Sequence, residues 1–542
     1  MLHFPASYKV FAEKNRYNLR KSCGDYTCFS PQSQMALLHV RQAYILLSMS
    51  GIKQLRSSPL RLPALLLALV ILAGACTRSA APGSAVSAIN QNDQIVQTDR
   101  IDQFEPETLG LTPGATAVDV NLNWYANAGG GDTALARFID EKGNVVTAVG
   151  TVSPASKGKA VCKVSVTGLT PDTWYRYYVS NDGKNWSGEY NFKTAKTNYF
   201  RFAVTGDPQL TRWTQDRASN LFSADKTTAQ GWKDTLAKIA AANVAFIAGV
   251  GDQVNAIPKG NEAEYRKFFA PAELKAIPFS PAAGNHDRHY LFLYHFNLPN
   301  EQKFDPIINA KNKNNAETRT AETAANYWYL YNNALFVVLN TSAYPDSAAA
   351  AMPYIERFDK TFNAAINANK GKFTWLFVQH HKSTASVAEH IADRDIQYYV
   401  EAGFEKLMDK YTVDFVLSGH DHVYARTFAM RDGKPVNKDR DKIINPGGVI
   451  YLTVNTSSGL KYGNIFDSKE IYVKNNKAYP YLADGTTGSA NYLRGVWPLS
   501  TNVAYQNKKP EYTIIEVTDK TVTFNTYDID SDKPIDTFTV TK

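Results

Sequence analysis

Between residues 197 and 422, five short apolar runs each end in a compact polar motif, and this pattern constrains the fold more than any other feature. Residues 199–204 run into Gly206-Asp207-Pro208-Gln209, residues 244–250 into Gly251-Asp252-Gln253, and residues 277–282 into Gly284-Asn285-His286-Asp287. Residues 374–378 lead to Gln379-His380-His381, and residues 414–417 to Gly419-His420-Asp421-His422. Short apolar runs bounded by turn signals read as buried strands, as does 335–340. Helical spacing intervenes at 232–242 and 404–411, and strand alternation returns at 512–517, 521–527 and 537–540. The expectation is a mixed sheet completed by late strands, with helices outside.

Each motif sets a hard oxygen donor or an imidazole at a strand-to-loop exit. Carboxylate and amide oxygens with neutral imidazoles suit Zn, Fe, Mn or Co rather than Ca or a thiolate site. Two divalent ions about 3.5–4 Å apart, bridged by one carboxylate and one hydroxide, share the charge that develops on an attacked phosphorus. Taken singly the motifs say little. A lone Gly-Asp is a turn, Gly-Asn-His-Asp a polar loop, and Gly-His-x-His a structural metal site or a surface turn. The order of all five, each after a strand, carries the argument.

The N-terminal segment reads as a targeting signal. Lys53, Arg56 and Arg61 precede an apolar run at 65–72, which ends in Ala73-Gly74-Ala75-Cys76. The run is too short to span a membrane, which takes about 20 residues. Small residues before Cys76 resemble the bacterial lipoprotein signal, which implies diacylation of Cys76; ordinary secretion is the alternative. Residues 49–76 are then the signal, 1–48 an upstream extension of the reading frame, and 77–105, rich in Ser, Ala, Gln and Asn, a flexible tether. The expected location is outside the cytoplasm, on a membrane. The net charge of +8 belongs to this segment: the first 75 residues hold nine of the 59 bases and two of the 51 acids. The remainder is near neutral, which gives no case for nucleic-acid binding. Cys162 sits in an alternating run and reads as a buried small hydrophobe.

Residues 106–196 alternate as an all-β sandwich, with turn signals at 127–131, 143–144 and 182–183. The stretch 168–179, GLTPDTWYRYYV, resembles a fibronectin type III domain and, more narrowly, the N-terminal domain of purple acid phosphatases. The five motifs from 197 onward resemble the calcineurin-like metallophosphoesterase signature. Residues 419–426, GHDHVYAR, resemble its purple acid phosphatase form. The expected fold is therefore multidomain: a fibronectin-like sandwich followed, over 197–542, by an α/β metallophosphoesterase domain with its β-sheets in a four-layer sandwich.

That resemblance implies two divalent transition-metal ions (Fe, Mn or Zn). Asp207, Asp252 and His422 would hold the first, Asp252 would bridge, and Asn285, His380 and His420 would hold the second. Of the adjacent pair His380 and His381, residues 377–380 match the family's strand-end ligand, which selects His380 and leaves His381 to touch the ligands or substrate. His286 would face the phosphate, as would Asn285. His390 stands where relatives place a substrate-binding or proton-donating histidine. Arg288 is a candidate phosphate clamp; His289 and His295 read as loop and packing residues. Two departures stand out. Purple members carry a Tyr three residues after the bridging Asp, and this chain has Asn255. Other members carry a His two residues after the first Asp, and this chain has Gln209, a neutral donor. A colourless enzyme with a divalent first ion is the expectation.

The implied activity is hydrolysis of a phosphate monoester on a small molecule, by a metal-bridging hydroxide. The alternatives are a phosphodiesterase acting on nucleotides or phospholipid head groups, and a catalytically weakened surface-binding protein. Segments 286–330 and 455–510 are the expected pocket walls.

Overall fold

The computed structural model describes residues 100–542 apart from 128, 156–157, 211–227, 256–261, 460, 464, 466–470, 475–476 and 481–499. Cys76, the signal and most of the tether therefore lie outside the described residues, as does part of the second expected wall.

The N-terminal domain is a sandwich of two sheets. One holds Glu107–Pro113, Val120–Asn127, Lys159–Val166 and Thr151–Pro154; the other centres on Trp174–Ser180 between Leu135–Asp140 and Asn185–Ser187. Alternation makes it so: Leu135–Asp140 buries every second residue, and Phe138 stacks on Tyr177 with ring centroids 5.0 Å apart. Cys162 is fully buried, and burial pushes its thiol up to about 12, leaving an inert hydrophobe. One expectation is corrected. Residues 100–104, read as the end of the tether, form the strand Arg100–Phe104, which pairs with Asn185–Ser187. A polar sequence with little periodicity hid a strand whose order comes from its neighbour.

The C-terminal domain stacks two seven-stranded sheets. In the first, Tyr199–Thr205, Phe246–Gly249 and Phe279–Pro281 run parallel, and Glu511–Thr518, Thr521–Asp528 and Asp536–Thr541 extend them antiparallel. In the second, Ala334–Val338, Trp375–Lys382, Phe415–Gly419 and Ile450–Thr453 run parallel. Between the sheets lies an aromatic core in which Phe202 meets Phe336 edge-on at 5.2 Å and Phe336 stacks on Phe377 at 4.8 Å.

Helices cover both outer faces. Trp232, Leu236 and Ile239 of Thr228–Ala241 pack on the first sheet. Phe404–Lys410 and the 21-residue helix Ala348–Ala368 pack on the second. The sequence reading places no element at Ala348–Ala368, although Tyr354, Ile355, Phe358, Phe362 and Ala365 repeat at helical spacing. Among the described residues no helix is long and apolar enough to cross a membrane.

The two domains are joined by more than the chain. Thr112 Oγ1 and Asn121 Nδ2 donate to the carbonyl of Asn297 at 3.0 and 2.8 Å, and Asn297 Nδ2 returns a bond to Val164 O at 3.0 Å. Lys163 Nζ caps the carbonyls of Leu293 and Phe296, each at 2.7 Å. The site-bearing strands all end at one edge of the stacked sheets, so their loops converge there.

Candidate metal centre

Five site residues hold left-handed backbone: Asp207 (φ 45), Gln209 (φ 40), Asp252 (φ 53), His420 (φ 72) and His422 (φ 51). Each such conformation costs about 1–3 kcal/mol outside glycine and persists only where the surroundings fix it. Its effect is to turn each side chain inward at the end of its strand. Space is equally tight. A Cβ on Gly284 would lie 2.1 Å from Asp252 Oδ1, and one on Gly419 would lie 2.3 Å from Asp207 Oδ2. Glycine at these positions is what lets the ligand carboxylates sit against the neighbouring turn.

Six donors converge. His381 Nε2 lies 2.9 Å from Asn285 Oδ1, 3.1 Å from His420 Nδ1 and 3.4 Å from Asp252 Oδ2. Its other nitrogen, Nδ1, is 2.9 Å from Val250 O, so a proton there leaves the Nε2 lone pair facing inward. His422 is set the same way, with Nδ1 2.8 Å from Lys461 O and Nε2 3.4 Å from Asp207 Oδ1. Asp207 accepts the His420 amide on both oxygens, at 3.1 and 3.0 Å. Asp252 Oδ1 accepts the His286 amide at 2.8 Å, and its Oδ2 accepts Gln209 Nε2 at 2.9 Å. Asp287 braces the turns, its Oδ2 accepting the amides of Gly284 (3.0 Å) and Gln253 (3.3 Å).

The electrostatics call for positive charge. Burial first, and then the neighbouring Asp252, push Asp207 up to about 7. Burial acts the same way on Asp252, but His381 and His286 override it and hold that carboxyl low. Burial opposes protonation of His381, yet Asp252 and Asp207 raise it to about 9. Gln209 Oε1 is buried and has no partner among the described residues. Two buried carboxylates, an amide oxygen, three imidazoles (two of them oriented by backbone carbonyls) and an orphaned amide oxygen fit a pair of divalent ions.

Residues 200–424 match the calcineurin-like phosphoesterase family, and residues 106–194 match the purple acid phosphatase N-terminal domain. Residues 200–424 are thus a calcineurin-like phosphoesterase domain. Its fold resembles a purple acid phosphatase from yellow lupin (Lupinus luteus) seeds, with 16% identity over 80% of this chain and 74% of that one, at a TM-score of 0.54. A dimetal phosphatase from Danio rerio aligns over 63% of this chain and 98% of its own, at 11% identity and a TM-score of 0.36. No curated protein matches.

In this phosphoesterase domain the strand Trp375–Lys382 corrects the expectation for His380. Its ring lies 4.8 Å from that of Phe404 in the helix layer, and both ring nitrogens are buried without partners among the described residues. His381 stands in the cluster instead. Successive strand residues face opposite sides. Phe377 and Gln379 face the sheet interior, Gln379 Nε2 donating to Gly249 O and Ser280 O at 2.7 Å, so His381 shares their face. Val378 packs in the helix-side core, and His380 follows it. That parity was readable in the sequence.

Of the remaining candidates, His286 and His390 touch the cluster. His286 Nε2 lies 3.7 Å from Asp252 Oδ2 and its Nδ1 3.2 Å from Asn255 O; burial pulls its pKa down. The His390 ring is 4.3 Å from that of His420, its amide donates to Asp421 Oδ1 at 2.7 Å, and its Nδ1 meets Asp393 Oδ2 at 2.8 Å. Asp393 went unread, because an acid three residues beyond a loop histidine looks like any solvated acid. Arg288 is committed: Nε donates to Asn285 O at 3.1 Å and Nη1 pairs with Glu322 at 2.9 Å. It positions Asn285. His295, fully buried, bonds Glu262 at 2.8 Å and stacks on Tyr265, as a packing residue does. His289 caps the helix Tyr290–His295 by accepting from the Leu291 amide at 3.3 Å.

Proposed function

We propose that this metallophosphoesterase hydrolyses phosphate monoesters outside the cytoplasm, tethered through a lipid on Cys76. The observation that carries the catalytic reading is the convergence of Asp207, Asp252, Asn285, His381, His420 and His422 on one buried point. In this reading Asp207, Gln209 and His422 would hold a first divalent ion and Asn285, His381 and His420 a second, with Asp252 serving both. Bound there, two ions would supply Lewis-acid activation of a water and of the phosphoryl group.

The chain's own groups do the rest. His286 and Asn285 line the side from which a phosphate oxygen approaches. His390 holds a proton for the departing alcohol. Asp393 fixes the imidazole through Nδ1 and stabilises its cation, which leaves Nε2–H to donate to the leaving oxygen. The Arg288–Glu322 pair keeps Asn285 in register.

The test is turnover of aryl phosphate mono- and diesters by the purified protein, with metal analysis and Asp252→Asn as control. Metal-dependent monoester turnover, lost in the variant, is expected. No turnover of either ester after reconstitution with Zn, Mn or Fe overturns the reading, and a diester preference replaces it with the phosphodiesterase. For the anchor, fatty-acid labelling that disappears in Cys76→Ala is expected; an unlabelled protein refutes it.

A further inference from the structure

The loop after the strand Ala334–Val338 sets Tyr344 beside this centre with three cations around its ring. Lys382 Nζ lies 3.5 Å from the ring centroid, Arg288 Cζ 4.5 Å and Lys311 Nζ 4.9 Å. They come from a strand, from the loop after Asn285 and from a turn near residue 311. One cation over an aromatic ring is common and worth about 0.5–2 kcal/mol. Three is a concentration of like charge that needs compensation.

Two of the three have it. Lys382, 1% exposed, pairs with Asp395 and donates to Ala343 O at 2.6 Å. Arg288 pairs with Glu322, whose side chain is fully buried. Lys311 is exposed, and among the described residues no carboxylate pairs with it. It is nevertheless held in place. Asn309 Oδ1 accepts the amides of Lys311 and Asn312, both at 2.9 Å, and Asn312 Nδ2 donates to Glu322 Oε2 at 2.6 Å. One buried carboxylate thus fixes both Arg288 and the turn that carries Lys311.

Tyr344 itself is half-buried, and its hydroxyl makes no hydrogen bond among the described residues. Burial raises its pKa, so the phenol stays a donor at working pH. Two features place it near the centre: Arg288, over its ring, bonds the carbonyl of Asn285, and the Asp252 carboxylate is close enough to act on its hydroxyl.

We propose that Lys311 and the Tyr344 hydroxyl form an anion subsite beside the metal centre, which binds a second negative group carried on the alcohol portion of the substrate. The substrate class is then phosphate esters of hydroxy acids or of alcohols that already bear another anion. An ammonium 4.9 Å from the ring centre of a phenol donor suits one carboxylate or phosphate. Neutral aryl or alkyl leaving groups would leave both unpaired.

This rests on the phosphoesterase reading, so the test reads binding and keeps the two apart. Metal-loaded protein is titrated calorimetrically with propylphosphonate and 3-phosphonopropionate, and with butylphosphonate and 4-phosphonobutyrate, each pair matched in length and differing by one carboxylate. In the better-fitting pair the carboxylate is expected to tighten binding roughly tenfold, the factor of a charge-assisted contact. Lys311→Ala is expected to bring that advantage within about twofold, Tyr344→Phe to lower it in part, and Lys313→Ala, on the same turn, to keep it. No advantage in the parent protein, or an advantage that survives Lys311→Ala, overturns the subsite while the centre stands. If no phosphonate binds at all, the reading of the centre falls and the subsite with it.

Discussion

His390 and Asp393 face each other at 2.8 Å, Nδ1 to Oδ2, with the ring of His390 lying 4.3 Å from that of His420. A histidine held by a carboxylate on one nitrogen presents the other to whatever occupies the centre. General-acid help matters most when the leaving group is a poor one.

Asp393→Asn is therefore expected to lower kcat for alkyl phosphates by about 10²-fold, the lower end of what general acid catalysis contributes. Nitrophenyl phosphates, which leave without a proton, are expected to change far less. Comparing the two substrates in one variant checks it, and an equal loss on both would assign Asp393 a purely structural part.

His380 and His381 separate cleanly by substitution. His380→Leu removes two unpartnered ring nitrogens from an apolar layer, where an unmet polar group costs about 1–3 kcal/mol. The variant is expected to keep its metal content and melt at or above the parent temperature. His381→Ala is expected to lose about one of two metal equivalents. Metal analysis and calorimetry of both variants decide the matter.

The first ion's surroundings lack a phenolate, because Asn255 stands three residues after Asp252. Iron-loaded protein is expected to show no visible tyrosinate–iron band. Gln209, whose Oε1 is buried and orphaned, is a weak donor. Gln209→His is expected to retain the first ion through dialysis conditions that strip the parent, as read by metal analysis.

Glu511 gives a pH signature of its own. It is 2% exposed, Oε1 accepts from Asn455 Nδ2 at 2.9 Å, and Oε2 has no partner. Burial raises its pKa to about 8, against the opposing bond from Asn455. The folded state therefore holds a proton that the unfolded chain gives up at ordinary carboxylate pKa. Its contribution to stability is full below that range and is lost as pH rises through about 8. Glu511→Gln is expected to flatten the fall in melting temperature between pH 5 and 8. An unchanged slope would show that the proton is not held.

Much of this was legible because strand alternation and terminal motifs are local. The site strands, the order of their motifs and the two-domain plan follow from residues within a few positions of each other. The family's strand-end pattern points to His380, whereas strand parity, carried by Phe377 and Gln379, points to His381. The Lys311–Tyr344 pair was invisible for another reason. Their partners lie on different elements, and only folding brings Glu322 under both Arg288 and Asn312. Helix Ala348–Ala368 was legible and missed.

The bonds that Thr112, Asn121 and Lys163 of the sandwich make to Leu293, Phe296 and Asn297 reach the segment directly after the Gly284–Asp287 turn. The N-terminal module is thus a buttress for the mouth of the catalytic one. Cutting the chain at residue 197 would strip the donors from those carbonyls and slacken the strap behind Asn285.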